Sequence, residues 1–192
     1  MLAKGSINWI LTPLTIALGA GLLKLYPIAV VGVIMAAFFT IFFRDPERDT
    51  PVVDMISPAD GVVLDTDKKV SIFMRCRDVH VNRAPLSGVV KKIEYRKGRH
   101  TPAFSKGSSK NERNKITIET EYGDVIVTQI AGILARRIVC YVEEGGIVEK
   151  GQRIGMIRFG SRVEVTIPDA LRVVVKKGDR VRAGESIIAR LE

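Results

Sequence analysis

From Gly5 to Leu23 the chain carries no charged residue, and from Leu25 to Phe43 it again carries none; only Lys24 separates the two runs. Apolar side chains in such numbers need a protein core or a lipid phase to receive them. Ile7 to Leu23 and Ile28 to Phe43 would each make a helix of about 25 Å, slightly short of a ~30 Å hydrocarbon layer. Local thinning and flanking residues can absorb that mismatch. Pro27 suits the first turn of a helix, where its missing N–H leaves nothing unpaired, and Lys24 and Tyr26 suit an interfacial turn. Lys4 precedes the first run, and Arg44 and Arg48 follow the second, so both ends belong on the cytoplasmic side. The expectation is a membrane-anchoring helical hairpin over residues 1–43 and a cytoplasmic body over 44–192. A shallow, re-entrant hairpin satisfies the same residues. A signal peptide cleaved near Ala20 is the rival, but it leaves the second run without a role.

Nearly all the charge follows Phe43, and the formal net charge is +9. A basic balance favours anionic partners. Nucleic acid is the weaker choice, because no helix-turn-helix, zinc-finger or RNA-binding aromatic signature is present. A basic body behind an apolar N-terminus points instead to an anionic membrane surface. Cys76 and Cys140 form no CxxC pair, so a disulfide framework is not expected; both should be reduced, with at least one packed in the core. Cys76, His80 and Cys140 match no zinc spacing.

Beyond Arg44 the pattern is β. Short runs rich in β-branched residues alternate with turn residues: 61–64, 70–74, 89–93, 115–119, 124–128, 137–142, 162–167 and 171–175. Residues 101–113 are polar and read as a loop. One internal repeat is present. Residues 142–154 align with 175–187, so that Gly145 matches Gly178, Val148 Val181, Gly151 Gly184 and Ile154 Ile187. Turn glycine and buried aliphatic alternate, as in the hammerhead turns of lipoyl and biotinyl domains, which these segments resemble. The fold class expected is mainly β: a lipoyl/biotinyl-like flattened β-barrel or sandwich behind a helical hairpin.

Three stretches could carry chemistry. Ile56-Ser-Pro-Ala-Asp-Gly-Val62 contains Asp60 among turn formers. Asp78-Val-His-Val-Asn-Arg-Ala-Pro85 contains His80, which in a strand shares a face with Asn82 and Ala84. Ile157-Arg-Phe-Gly-Ser-Arg-Val-Glu-Val165 contains Gly160-Ser161, by composition only a turn between strands. There is no GxSxG elbow, P-loop, dinucleotide fingerprint or metal-ligand pair.

Taken in order along the chain, these stretches resemble the short form of the phosphatidylserine decarboxylase family, which includes the archaetidylserine enzymes. The matching segments are Phe43-Arg-Asp-Pro-Glu-Arg48, Ser57-Pro-Ala-Asp-Gly61, Asp78 to Pro85, Asn111-Glu-Arg-Asn114, Ala135-Arg-Arg137, Gly151-Gln-Arg-Ile-Gly155 and Phe159-Gly-Ser-Arg162. Longer family members carry two histidines in the HxxH manner at the second stretch; this chain keeps a single one there, His80.

The resemblance implies self-cleavage of the Gly160–Ser161 bond, giving a β chain of residues 1–160 and an α chain of residues 161–192. Ser161 would be the nucleophile, with His80 as its base and Asp60 as orienter of the histidine. Residue 161 would become a pyruvoyl group, a protein-derived electron sink for decarboxylation. His80 could also return a proton to the substrate carbon. The implied substrate is an aminophospholipid, and Arg83, Arg136, Arg137, Arg162 and the Arg96–Arg99 loop are candidates for its phosphate. The implied assembly is a heterodimer of the two fragments; a homodimer of such pairs fits the family, though no residue pattern here specifies it. Two rivals stand beside this reading. One is a membrane-tethered carrier with its arm on Lys68, in Asp65-Thr-Asp-Lys-Lys69. The other is a non-catalytic binding module on an anchor.

Overall fold

A computed structural model describes residues 1–67, 69–99, 101–102, 110–132, 137–159 and 161–191. They form two compact units, Met1–Glu47 and Arg48–Glu192.

The first unit is a helical hairpin of α1 (Ile7–Leu22) and α2 (Tyr26–Phe42). Its seam is built from small residues, with Ala17, Ala20, Gly32 and Ala36 buried. A Cβ on Gly32 would fall 2.7 Å from the Pro13 carbonyl oxygen and 2.8 Å from the Ala17 Cβ. Small side chains are what let two helix backbones come this close. Lys24 takes a φ of 58° at the turn. Near the open end, the Trp9 and Phe39 rings meet edge-on at 5.5 Å. The large aliphatic side chains point outward: Leu11, Leu14, Leu18, Val30, Val33 and Ile34 are all exposed. Among the described residues, no helix is long and apolar enough to cross a membrane.

The second unit is β throughout. Its strands are β1 (Met55–Ile56), β2 (Gly61–Asp65), β3 (Val70–Met74), β4 (Val81–Arg83), β5 (Gly88–Arg96), β6 (Arg113–Thr120) and β7 (Gly123–Ala131). They continue as β8 (Ile138–Cys140), β9 (Ile147–Val148), β10 (Arg153–Ile157), β11 (Ser161–Val165), β12 (Leu171–Val173), β13 (Arg180–Val181) and β14 (Ile187–Leu191). Each run read from the sequence as a strand falls on one of these. One sheet has eight strands in the order β13-β2-β3-β11-β7-β6-β5-β9, and two have three, β1-β14-β12 and β4-β10-β8. The orders are linear, so the body is made of open sheets rather than a closed barrel. Side chains from all three sheets, among them Met55, Ile72, Ile116, Ile154, Val163 and Ile188, share one apolar core. Alternation along β6 shows how the sequence sets this up: Asn114, Ile116 and Ile118 are buried while Lys115, Thr117 and Glu119 are not.

The internal repeat reaches further than its turns. Gly145, Gly151, Gly178 and Gly184 all have φ between 81° and 97°, which is why glycine recurs at these positions. Ile154 is fully buried, whereas its counterpart Ile187 is half-buried and Ile188 takes the core position. β9 and β13 close opposite edges of the large sheet, with Val148 opposite Gly88 and Val181 opposite Gly61. The Gly151 N–H donates to the Ala84 carbonyl at 2.9 Å, and the Gly184 N–H to the Ser57 carbonyl at 2.9 Å. The Gly145 N–H reaches the Val90 carbonyl at 2.7 Å, and the Gly178 N–H the Val63 carbonyl at 2.8 Å. Ser57-Pro-Ala-Asp-Gly61 and Ala84-Pro-Leu-Ser-Gly88 therefore hold equivalent places in the two copies of the repeat, bonded to the same turn positions. The sequence reading paired only the downstream turns.

The cysteines correct an expectation: both Cys76 and Cys140 are free and exposed, so neither packs in the core. Cys76 sits in a turn and Cys140 ends β8.

Candidate active site

Ser161 opens β11, which runs through the middle of the large sheet and is paired on both sides. Ser161 lies opposite Met74 of β3 and opposite Ala131 of β7. Its side chain is fully buried, and its hydroxyl donates to the Met74 Sδ at 3.3 Å. The preceding strand, β10, ends at Ile157 and belongs to another sheet, so the chain changes sheets between Ile157 and Ser161. Phe159 takes a φ of 62° in that corner. A bulky side chain in the left-handed region costs about 1–2 kcal/mol. Strain is thus held two residues ahead of the serine, the kind of place where strained backbone accompanies chemistry. Gly160 lies outside the described residues.

His80 is buried beside the same corner. Its carbonyl accepts the N–H of Ile157, the last residue of β10, at 3.3 Å. Its Nδ1 lies 2.8 Å from the Asp78 carbonyl oxygen. A carbonyl can only accept, so Nδ1 carries the proton of the neutral ring and Nε2 is the basic nitrogen. The Asp78 carboxylate fixes this turn by accepting the Arg75 N–H at 2.8 Å and Arg180 Nη2 at 3.1 Å.

Asp60 approaches from the neighbouring turn. Its carboxylate accepts the Ala183 N–H at 2.7 Å and takes both oxygens to Arg48 Nη2, at 3.2 and 3.0 Å. The sequence reading expects this carboxylate to orient the imidazole; the His80 Nδ1 bond goes to the Asp78 carbonyl, while Ala183 and Arg48 hold the Asp60 carboxylate. Burial raises the Asp60 carboxyl above the ordinary range, against the pull of the Ala183 N–H and the Arg48 charge. The repeat separates two roles for this residue. In the other half, the Ser87 Oγ accepts the Lys150 N–H at 2.9 Å, as Asp60 accepts that of Ala183. Capping the turn needs only an oxygen, so the charge of Asp60 and its pairing with Arg48 are additional to that cap.

The candidate phosphate-binding arginines are scattered. Arg83 is buried, donates to the Gly151 carbonyl at 2.9 Å and packs where a Gly184 Cβ would meet its Cδ. Arg162 points to the face of the sheet opposite Ser161 and pairs with the buried Glu164 at 2.8 Å. Lys69 pairs with the same carboxylate. Arg137 is exposed, and its carbonyl accepts the Arg158 N–H at 3.3 Å. Arg136, His100 and the rival carrier Lys68 lie outside the described residues, as does most of the 101–113 loop.

Sequence reasoning names Asn82, Asn111 and Asn114 but assigns no role to the buried amides around the serine. Asn111 holds the Thr101 backbone on both sides and donates to the Ala131 carbonyl at 2.8 Å, directly beside Ser161. Asn114, Gln129 and Asn82 lie in the core on the serine's side of the sheet. The available signal was polar residues at inward positions of apolar strands, such as Asn114 two residues before Ile116.

The family model for phosphatidylserine decarboxylase matches residues 35–189. The chain belongs to the phosphatidylserine decarboxylase family. It is 54% identical to a Methanosarcina mazei protein provisionally named archaetidylserine decarboxylase proenzyme, over all of this chain and 98% of that one. It is 44% identical to the phosphatidylserine decarboxylase proenzyme of Thermobifida fusca, over 98% of this chain and 92% of that one. The family match thus covers every element that positions Ser161, His80 and Asp60.

Proposed function

We propose that this chain is a proenzyme that cuts itself between Gly160 and Ser161 and then decarboxylates a serine-headgroup phospholipid at a membrane surface. The observation that carries this is Ser161 itself: a buried serine at a strained corner, locked into the sheet immediately downstream, in a member of this decarboxylase family. The Ser161 Oγ adds to the Gly160 carbonyl carbon as its proton passes to His80 Nε2, and the C–N bond breaks to leave an ester and a free amine. Elimination across the Cα–Cβ bond of residue 161 frees Gly160 as a carboxylate. Water then replaces the nitrogen of residue 161, which departs as ammonia, and a pyruvoyl group remains. That group supplies a carbonyl to receive the substrate amine and to accept the electrons left by departing carbon dioxide. Residue 161 suits it because the strand keeps the new chain end in place.

The fragments should stay together after cleavage. β11 is hydrogen-bonded between β3 and β7, β13 joins β2, β14 joins β1, and Glu185 and Ala183 bind Arg48 and Asp60. The hairpin supplies the membrane contact: its outward aliphatic residues form an apolar surface suited to shallow insertion. Its basic flanks favour the cytoplasmic leaflet. The diether lipid is the preferred substrate in this reading, because the higher identity is to the relative with the archaeal name. Hammerhead turns like those of lipoyl domains are retained here as scaffold.

Denaturing electrophoresis with intact-mass measurement tests the reading. The expected result is fragments 1–160 and 161–192 with a blocked N-terminus on the smaller one. They should co-migrate under native conditions and float with anionic vesicles. Vesicles containing archaetidylserine should release carbon dioxide faster than those containing diacyl phosphatidylserine. An intact chain carrying added mass on Lys68 would establish the carrier instead.

A further inference from the structure

Beside Ser161 the apolar core contains a one-way chain of amides. Asn114 Nδ2 donates to Gln129 Oε1 at 3.1 Å, Gln129 Nε2 donates to Asn82 Oδ1 at 2.8 Å, and Asn82 Nδ2 points at the Met74 Sδ at 3.7 Å. That sulfur also receives the Ser161 hydroxyl, at 3.3 Å. Asn82, Gln129 and Met74 are 0% exposed and Asn114 1%. The backbone makes room for the chain: a Cβ on Gly155 would fall 2.7 Å from Gln129 Nε2. The chain is also costly. Asn114 Oδ1 is buried and meets no hydrogen-bond donor among the described residues, an expense that leucine in its place would avoid. A core built only for stability has no need of these amides.

We propose that Asn82, aimed by Gln129 and Asn114, is a positioning residue for the chemistry at residue 161 and acts through the Met74 sulfur; this rests on the self-cleavage reading above. A thioether is a weak acceptor, and here two donors converge on it. It therefore seats the serine hydroxyl without holding it tightly. When that hydroxyl turns to the Gly160 carbonyl, the Asn82 N–H keeps the sulfur engaged and the seat in place. Because Gln129 can donate only through its nitrogen, it fixes which end of the Asn82 amide faces the sulfur.

Cleavage of freshly translated full-length chain, followed in time, tests this. Stability is measured separately on a Ser161→Ala background, where every variant remains one chain. Asn82→Leu should slow cleavage about 10²-fold, as a misplaced reacting group does. The triple variant Asn82→Leu, Gln129→Leu, Asn114→Leu leaves no amide partner orphaned, so its denaturation midpoint should match or exceed the parent's, with cleavage equally slow. Met74→Leu conserves volume and should slow cleavage about ten-fold through loss of one hydrogen-bond acceptor, whether or not the triple variant folds. Parental cleavage rates in Asn82→Leu and Met74→Leu would overturn the inference alone. A parent chain that never cuts would overturn the self-cleavage reading and the inference with it.

Discussion

Ser161→Ala should yield one uncut chain of 192 residues with no decarboxylase activity above background. The substitution removes a single oxygen whose hydrogen bond is to a sulfur, so the fold should lose at most about 1 kcal/mol. Strand pairing of residue 161 with Met74 and Ala131 uses backbone groups that alanine retains. The nucleophile and the source of the carbonyl disappear together, so no slow residual turnover is expected from any processed fraction. Intact mass and carbon dioxide release on the same sample provide the check. Normal fragments from this variant would end the mechanism. His80→Ala should stop cleavage as well, with Ser161 still in place; if it cuts at the parental rate, His80 is not the base and another group must take the serine proton.

Legibility in the sequence followed the range of the physics involved. β strands depend on alternation within a few residues, so 61–64, 70–74 and 115–119 could be located directly. The hairpin showed itself through absence of charge. The turn repeat was visible because positive-φ positions restrict residue type at Gly145, Gly151, Gly178 and Gly184. Its upstream partner was not, because Asp60 and Ser87 perform the same capping with different chemistry. The site was legible only through family resemblance: nothing local marks Ser161, whose setting comes from Met74, Ala131 and Asn82, far away along the chain. Read locally, Arg48 is only the end of a matching segment and a basic flank of the hairpin. That it would pair with Asp60 and Glu185, across 12 and 137 positions of sequence, is a tertiary fact that no window contains.

Arg48→Ala should destabilise the body by about 3–5 kcal/mol, the usual cost of removing one partner from a buried charge cluster. The Arg48 side chain is 7% exposed and holds Asp60 at 3.0 Å and Glu185 at 3.0 Å. The loss should depend on pH with a definite sign. The Asp60 carboxyl already sits above its ordinary value because it is buried, and Arg48 is among the groups restraining that rise. A raised folded-state value means the folded chain holds a proton that the unfolded chain has released. Asp60 therefore costs nothing below the ordinary carboxylate range and costs more as pH climbs through its folded value. Without Arg48 that folded value moves higher and the penalty grows. For Glu185, burial pushes the carboxyl up, but the hydrogen bonds and charges of Arg48 and Arg182 together bring it below the ordinary range. Its contribution is present above that range and lost as pH falls, so losing Arg48 is again felt most at higher pH. Urea denaturation of Arg48→Ala on the Ser161→Ala background should accordingly show a gap from its parent that is small in acid and widest near neutrality. Adding Asp60→Asn should recover most of the gap, since asparagine removes the buried charge and can still accept the Ala183 N–H. A gap that stays constant across pH, or a double variant no more stable than the single, would show that Arg48 acts by packing its alkyl stem and not by neutralising Asp60.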